Sequence, residues 1–196
     1  PRVRRQRQMC IRDRSIAVRI LDFAATEINA EFFRSRLLQA LRLRQALQLA
    51  RPDNNAYRLV HGEGDFLPGL VVDIYGPTAV LQAHSPGMHF ARQTIAEQLV
   101  ALPELGVRNV YYKSETTLPY KAHLDARNDY LIGSMETSVA TENSLQFNID
   151  WLRGQKTGFF LDQRDNRALL QHYSQGRRVL NMFCYTAVSY THLRAP

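Results

Sequence analysis

Cysteine is almost absent from this chain, since Cys10 and Cys184 are the two cysteines among its 196 residues. The sequence therefore has neither a disulfide framework nor a thiolate cluster for a metal ion. Its six histidines include no closely spaced pair of the kind that binds zinc, so we predict no metal site. No apolar run approaches the roughly 18 to 20 residues needed to cross a bilayer, so we expect no membrane partner. Together these absences favour a protein of the reducing cytoplasm.

Acidic residues are also scarce, because 18 Asp and Glu stand against 25 Lys and Arg and give a formal net charge of +7. Residues 1–15 hold six arginines and one aspartate, and Arg194 adds one more positive charge, so residues 16–188 carry a net charge of +1. A basic surface gains affinity for nucleic acid by releasing counterions from phosphates. If residues 1–15 are authentic, their arginines could form an arm that grips RNA: Arg2, Arg4, Arg5, Arg7, Arg12 and Arg14.

The hydrophobic pattern predicts a strand over residues 16–23 and then a helix that Asn29 caps. A compact α+β unit follows, and we expect its small sheet to need neighbours that cover its faces. The predicted elements of that unit are strands near residues 56–60, 69–75, 78–83, 107–113 and 129–134 and a helix near residues 89–102. A hydrophobic content of 45% is ample for the cores of these units.

A third unit is predicted after residue 140. Residues 145–150 alternate as a half-buried strand, and residues 157–161 are expected to return as its hairpin partner. A helix over residues 163–172 then precedes a short apolar strand over residues 178–183. Asp162 opens that helix, where a carboxylate favours the positive end of the helix dipole.

Two polar stretches in this third unit indicate a cofactor site. The first runs from Gly154 to Arg167 and leads into the predicted helix. The second begins at Asn181, within the predicted strand over residues 178–183, and continues past its end. Ligands of open α/β sheets sit beyond the carboxyl ends of the strands. The pattern therefore predicts a site for a nucleotide-type cofactor.

These stretches resemble the class I S-adenosylmethionine-dependent RNA methyltransferases of the large-subunit ribosomal RNA cytosine-5 type. Residues 16–21 look like the last strand of that family's PUA domain, and residues 54–73 look like the opening of its central domain. The three signatures occur in the family's order and span roughly residues 16–187.

The resemblance implies an α/β and α+β fold: a remnant PUA strand, a linker helix, a small central domain and the start of a Rossmann-like methyltransferase domain. The implied bounds are a non-native tail at 1–15, the end of the PUA-like domain at 16–24, the linker helix at 25–53, the central domain at 54–140, the N-terminal part of the methyltransferase domain at 141–187 and a second non-native tail at 188–196. Both tails resemble peptides translated from sequencing-adapter DNA, although ordinary divergent tails remain the alternative.

The resemblance further implies S-adenosylmethionine (SAM) as the cofactor and ribosomal RNA as the partner, with methylation at carbon five of cytosine. SAM presents a zwitterionic amino-acid end, a sulfonium and an adenine, so its site suits acids, bases, amides and aromatic faces together. The alternative for Asp162 and Arg164 is a helix N-terminal acid and a surface ion pair. The implied cofactor-binding residues are Lys156, Thr157, Gly158, Phe159, Asp162, Gln163, Arg164, Asn181, Phe183, Tyr185 and Thr186.

The sequence also departs from the family pattern. Ala187 and Val188 follow Thr186 where the family has two glycines, and the ribose anchor, the segment lining the target base and the catalytic cysteine are missing. Cys184 is not expected to be that nucleophile, since a lone strand cysteine is usually a small buried hydrophobe. We therefore expect a fragment that is inactive alone. The alternatives are a noncatalytic RNA-binding module and a methyltransferase assembled from two chains.

Overall fold

The computed structural model of this protein describes residues 18–118, 124–125 and 127–180. Within these ranges the chain forms a mixed sheet with helices on one face and a strand pair on the other. The elements are α1 Ala30–Ala46, β1 Ala56–His61, β2 Leu70–Tyr75, β3 Thr78–Ala83, α2 Pro86–Phe90, α3 Arg92–Ala101, β4 Asn109–Tyr112, β5 Asp129–Ile132, β6 Val139–Glu142, β7 Leu145–Asn148 and α4 Arg164–Ser174.

Five strands form the central sheet in the order β1-β2-β3-β4-β5. The pairs β1–β2, β2–β3 and β4–β5 are antiparallel, and β3 and β4 run parallel. Parallel neighbours need a crossover connection, and the helices α2 and α3 supply it. The predicted α+β unit is confirmed, with each of its predicted strands present to within three residues at either end.

One face of the sheet packs against α1 and α3. Leu37 of α1 and Leu99 of α3 have no exposed surface, and they share a core with inward residues of the strands such as Val72 and Leu81. Asn29 caps α1 as predicted, because its side-chain oxygen accepts a hydrogen bond from the Phe32 amide at 3.1 Å. The helices therefore supply one of the coverings that the small sheet needs.

The opposite face of the sheet is covered by the segment that follows β5. Tyr75, Val80 and Tyr111 point to this face and pack with Trp151 and Phe159. The strands alternate between the two cores, since Val72 and Ile74 belong to the first while Tyr75 belongs to the second. A sheet buried on both faces explains why every residue of β3 is buried.

The hairpin predicted for residues 145–150 is paired differently in the structure. β7 pairs with β6, which precedes it, and residues 157–161 form no strand. Asn143 and Ser144 connect the two strands with φ of 49° and 66°, which is the left-handed backbone of a tight two-residue hairpin turn. The Asn-Ser dipeptide is the sequence signal that the prediction of residues 157–161 as the partner strand overlooked.

Three further predictions differ from the structure. The helix expected near residues 89–102 begins earlier, because Ser85 caps α2 and Pro86 occupies its first position. It is divided at Ala91 into α2 and α3. Residues 18–23 are not a strand, since no described residue pairs with them, and residues 16–17 lie outside the described ranges. Residues 178–180 are likewise not in a strand, and the rest of the strand predicted over residues 178–183 lies outside the described residues.

The expected boundary between residues 140 and 141 falls within β6. Because β6 and β7 pair and cover the central sheet, the two proposed units share a hydrophobic core at this point. Among the described helices, none has the length and hydropathy of a membrane span.

Replacing Leu37 with Ala should lower the free energy of unfolding by about 2 to 5 kcal/mol, because it leaves a cavity between α1 and the sheet. Chemical denaturation monitored by circular dichroism would measure the change. Leu43→Ala on the same helix is the matched control, since 46% of that side chain is exposed. Equal losses for the two variants would contradict the assignment of Leu37 to the core.

Candidate cofactor-binding site

A compact turn after β7 places the segment predicted to bind the cofactor. The Gly154 amide donates to the Asp150 carbonyl at 2.9 Å, and the Gly158 amide donates to the Gln155 carbonyl at 2.8 Å. Gly158 has a φ of +109°, and a Cβ there would lie 2.8 Å from the Asp150 carbonyl oxygen. Its absent side chain thus lets the turn pack closely on itself. Gly158 shapes the site through the backbone.

Thr157 anchors this turn to the central sheet. Its side chain is fully buried, and its Oγ1 donates to Asp73 Oδ2 at 2.6 Å. The Tyr75 hydroxyl lies 2.9 Å from Thr157 Oγ1 and completes the hydrogen bonding of that threonine. Burial and the nearby Asp73 charge raise the pKa of Tyr75 well above its ordinary value, so this phenol stays protonated. The hydroxyl of Thr157 is thereby directed into the protein interior.

Asp73 is itself fully buried and is neutralised by Arg58 on the neighbouring strand. Arg58 Nε and Nη2 donate to the two carboxylate oxygens at 2.7 and 2.9 Å, which is a bidentate ion pair. The hydrogen bond to Asp73 is the main reason that the pKa of Arg58 is raised. A buried carboxylate requires such a partner, because desolvation of an isolated charge costs several kcal/mol.

A second buried carboxylate, Glu142, holds the start of α4. Arg167 Nε and Nη2 donate to the two oxygens of Glu142 at 2.7 Å each. The Arg167 guanidinium also lies 4.4 Å from the centre of the Phe159 ring, which is a cation–π contact. Phe159 is only 2% exposed and packs edge-on against Tyr75. Its ring therefore belongs chiefly to the core.

Arg164 lies one turn before Arg167 on the same face of α4. Its Nε is 3.4 Å from Glu142 Oε2, and its Nη2 donates to the Ala56 carbonyl on β1. Arg164 thus connects α4 to both the strand pair and the edge of the central sheet.

A cleft of about 1170 Å³ lies beside this segment, between the central sheet and the turn over residues 152–164. Lys156, Phe159, Asp162 and Arg164 line it, so the fold brings four of the predicted residues to one cavity. Asp162 is exposed and has no ion-pair partner among the described residues. Lys156 is exposed as well, and its ammonium lies 4.8 Å from the centre of the Phe160 ring.

The side chain of Gln163 does not line this cleft. The Gln163 side chain accepts a hydrogen bond from Asn166 at 2.8 Å on the surface of α4. Asn181, Phe183, Tyr185 and Thr186 are outside the described residues. Sequence reasoning missed the anchoring residues Asp73, Glu142 and Arg167. A signal did exist for Arg167, since it follows Arg164 at the three-residue spacing that puts both on one helix face.

No group of three potential metal ligands occurs among the residues that the structure describes. The ionisable groups of this region are instead paired with one another or face the cleft. The arrangement can bind a ligand that carries both positive and negative groups.

Comparison with known proteins identifies relatives along most of the chain. Residues 58–193 match the family model described as S-adenosylmethionine-dependent methyltransferase. The Ribosomal RNA large subunit methyltransferase I of Tolumonas auensis is 38% identical over 179 residues, which cover 89% of this chain and 44% of that protein. The protein of the same description from Photobacterium profundum is 39% identical over 175 residues, covering 87% of this chain and 43% of that protein. The chain thus spans less than half the length of these relatives.

Two solved structures share the fold. One is described as a SAM-dependent methyltransferase from Streptococcus mutans, with a TM-score of 0.64, 21% identity and coverage of 78% of this chain and 38% of that chain. The other is described as a methyltransferase complexed with SAH, with a TM-score of 0.63, 21% identity and the same two coverages of 78% and 38%. The similarity places this mixed sheet and its helices in the α/β fold class of these methyltransferases.

Replacing Thr157 with Val should cost about 1 to 3 kcal/mol of stability, because the buried Asp73 carboxylate and the Tyr75 hydroxyl each lose a hydrogen-bond partner. Urea unfolding would measure it. Thr116→Val, at an exposed threonine, is the control and should change stability by less than about 0.5 kcal/mol. A Thr157 variant as stable as this control would show that the hydrogen bonds of Thr157 do not contribute to the free energy of unfolding.

Replacing Glu142 with Gln should destabilise the protein by about 3 to 5 kcal/mol, because two arginines then face a buried neutral amide. Glu136→Gln is the matched control, since Glu136 also forms an ion pair with an arginine, Arg108, but on the surface. Surface pairs are screened by water, so this control should have little effect. Thermal unfolding of the two variants side by side would decide, and similar melting temperatures would refute the role assigned to Glu142.

Proposed function

Because this chain belongs to the S-adenosylmethionine-dependent methyltransferase family, we propose that it is part of an enzyme that methylates large-subunit ribosomal RNA. The relatives from Tolumonas auensis and Photobacterium profundum carry that description. The observation that carries the proposal is local: an unpaired carboxylate, Asp162, lines the same cleft as the cationic Lys156 and Arg164.

The residues of the cleft fit the amino-acid end of SAM. A zwitterion needs an acceptor for its ammonium and cations for its carboxylate. Asp162 is the available acceptor, because the described carboxylates Asp73 and Glu142 are already paired with arginines. Lys156 and Arg164 would face the carboxylate of the cofactor. When bound, SAM supplies an activated methyl group on its sulfonium.

The remaining predicted residues take two roles in this proposal. Thr157 and Gly158 position the turn, and Phe159 closes the cleft against the core. Gln163 completes the cofactor site together with four residues at the end of the last predicted strand and just beyond it: Asn181, Phe183, Tyr185 and Thr186.

We assign the reaction to carbon five of cytosine, which requires a nucleophile that adds to the base before methyl transfer. The residues described here supply the cofactor wall and the central domain, with proposed bounds of 54–140 for the central domain and 141–187 for the start of the methyltransferase domain. We infer that this nucleophile lies outside the described residues, which include no cysteine. The chain alone should therefore transfer no methyl group. We also propose that the enzyme acts in the cytoplasm.

The test is a chimera in which residues 18–180 of this chain replace the corresponding segment of the Tolumonas auensis relative. With radiolabelled SAM and large-subunit ribosomal RNA, the chimera should incorporate label and the chain alone should not. Asp162→Asn in the chimera should raise the KM for SAM roughly 10- to 100-fold, the equivalent of one charged hydrogen bond. A smaller effect on kcat is expected, since the proposed partner of Asp162 is the ammonium of SAM and not its methyl group.

Asp165→Asn is the matched control, because Asp165 is an exposed carboxylate at the second position of α4, three residues after Asp162. It should leave both kinetic constants unchanged. A folded chimera that methylates no RNA, or an Asp162 variant with the KM of the Asp165 variant, would overturn the proposal.

A further inference from the structure

The cleft beside the predicted cofactor segment is strongly basic. Only one acidic side chain, Asp162, lines it among the described residues. Two histidines, His61 and His84, also face it. The six cationic side chains along its walls are Arg44, Arg58, Lys113, Arg153, Lys156 and Arg164.

Three of these cations pair with buried carboxylates behind the cleft wall. Arg44 pairs with Asp65 and Arg58 with Asp73, so these two charges are committed to holding the fold together. Arg164 shares the single carboxylate of Glu142 with Arg167, so the pair of arginines keeps a net positive charge.

The other three cations have no carboxylate within ion-pair distance among the described residues, and they converge on one short turn. Lys113 follows β4 and reaches across the cleft, where its ammonium donates to the Gly154 carbonyl. Arg153 immediately precedes that glycine, and Lys156 follows it by two residues. Burial lowers the pKa of Lys113, and the nearby charge of Asp150 acts in the opposite direction. The turn thus gathers three positive charges, and no described carboxylate, Asp150 at its start included, forms an ion pair with them.

The shape and lining of the cleft suit an extended backbone. Its volume of about 1170 Å³ exceeds the roughly 300 to 1000 Å³ of typical small-molecule pockets. The two aromatic residues on its described walls, Tyr57 and Phe159, are 5% and 2% exposed and offer no platform for stacking bases. The exposed charges therefore favour recognition of phosphates without selection of sequence.

We propose that Lys113 and Arg153 bind the backbone phosphates of a single RNA strand along this cleft, while Lys156 keeps the role toward the cofactor carboxylate proposed above. The identity of the polyanion rests on the proposed function, in which RNA is the substrate. The strand would run beside Asp162 and Arg164, so the RNA and the methyl donor would occupy neighbouring parts of one cavity.

Fluorescence anisotropy with a fluorescein-labelled single-stranded RNA of mixed sequence tests this surface in the full chain. The double variant Lys113→Gln with Arg153→Gln should raise the Kd roughly tenfold. Its plot of log affinity against log salt, between about 50 and 200 mM, should become less steep by about 1.4, because each phosphate contact with a single strand contributes about 0.7. The arginines of residues 1–15 are present in every variant, so their contribution cancels in the comparison.

Two controls separate charge from structure. Arg42→Gln removes one charge from the exposed surface of α1, outside the cleft, and should leave the Kd within about twofold of the native value. Lys113→Arg with Arg153→Lys preserves both charges and should retain the affinity and the salt dependence. Loss of binding in this charge-preserving pair would overturn the proposal.

The proposal is also overturned if the charge-removing pair binds RNA with the native affinity and salt slope. Inorganic phosphate, added as a competitor, tests the alternative that this surface binds only small anions. In that case phosphate would bind the native chain, and the charge-removing pair would still bind RNA with the native affinity. These outcomes are independent of methyl transfer by the chimera. Failure of that assay refutes the proposed enzyme, whereas unchanged RNA binding refutes only this surface.

Discussion

Two carboxylates, Asp73 and Glu142, are buried between the central sheet and the segment that covers it, and each stays paired there with an arginine. Each carboxylate also joins two parts of the fold. Asp73 on β2 holds Thr157 of the turn, and Glu142 on β6 holds Arg167 of α4. Without these two junctions, the segment from Lys156 to Arg167 would keep the packing of Phe159 and the hydrogen bond from Arg164 to the Ala56 carbonyl as attachments to the sheet. The position of every cleft residue on this segment depends on them.

This attachment gives the candidate site a rigid wall. Binding sites are more precise when their side chains stand on elements fixed by packing and by outer hydrogen bonds. Here the buried side chains Thr157 and Phe159 face the core, and the exposed side chains Lys156 and Asp162 are left at the cleft. The buried run over residues 157–159 lies between the exposed residues Lys156 and Asp162, which separates the structural function of the segment from its ligand-binding function. Lys113 also contacts this turn, because its ammonium donates to the carbonyl of Gly154, which follows Arg153.

The sequence predicted most of the central sheet because its strands are bounded by glycine and proline and its helix α1 has a clear cap. The prediction missed the β6–β7 hairpin because it overlooked the turn signal of Asn143-Ser144, which lacks the glycine that usually marks such turns. The candidate site was only partly predictable. The family pattern marked residues 156–164, but Asp73 lies 84 residues from its partner Thr157, and no local periodicity reveals a hydrogen bond across that separation. Buried ion pairs depend on which strands become neighbours, and so they emerge only from the tertiary structure.

The most direct test of this account is a crystal structure of the chimera that carries residues 18–180, determined with S-adenosylhomocysteine. The account predicts that the ammonium of the ligand's amino-acid end lies within hydrogen-bond distance of Asp162 and its carboxylate near Lys156 or Arg164, with Thr157 still bonded to Asp73. A ligand that contacts no residue of the 156–164 segment would contradict it.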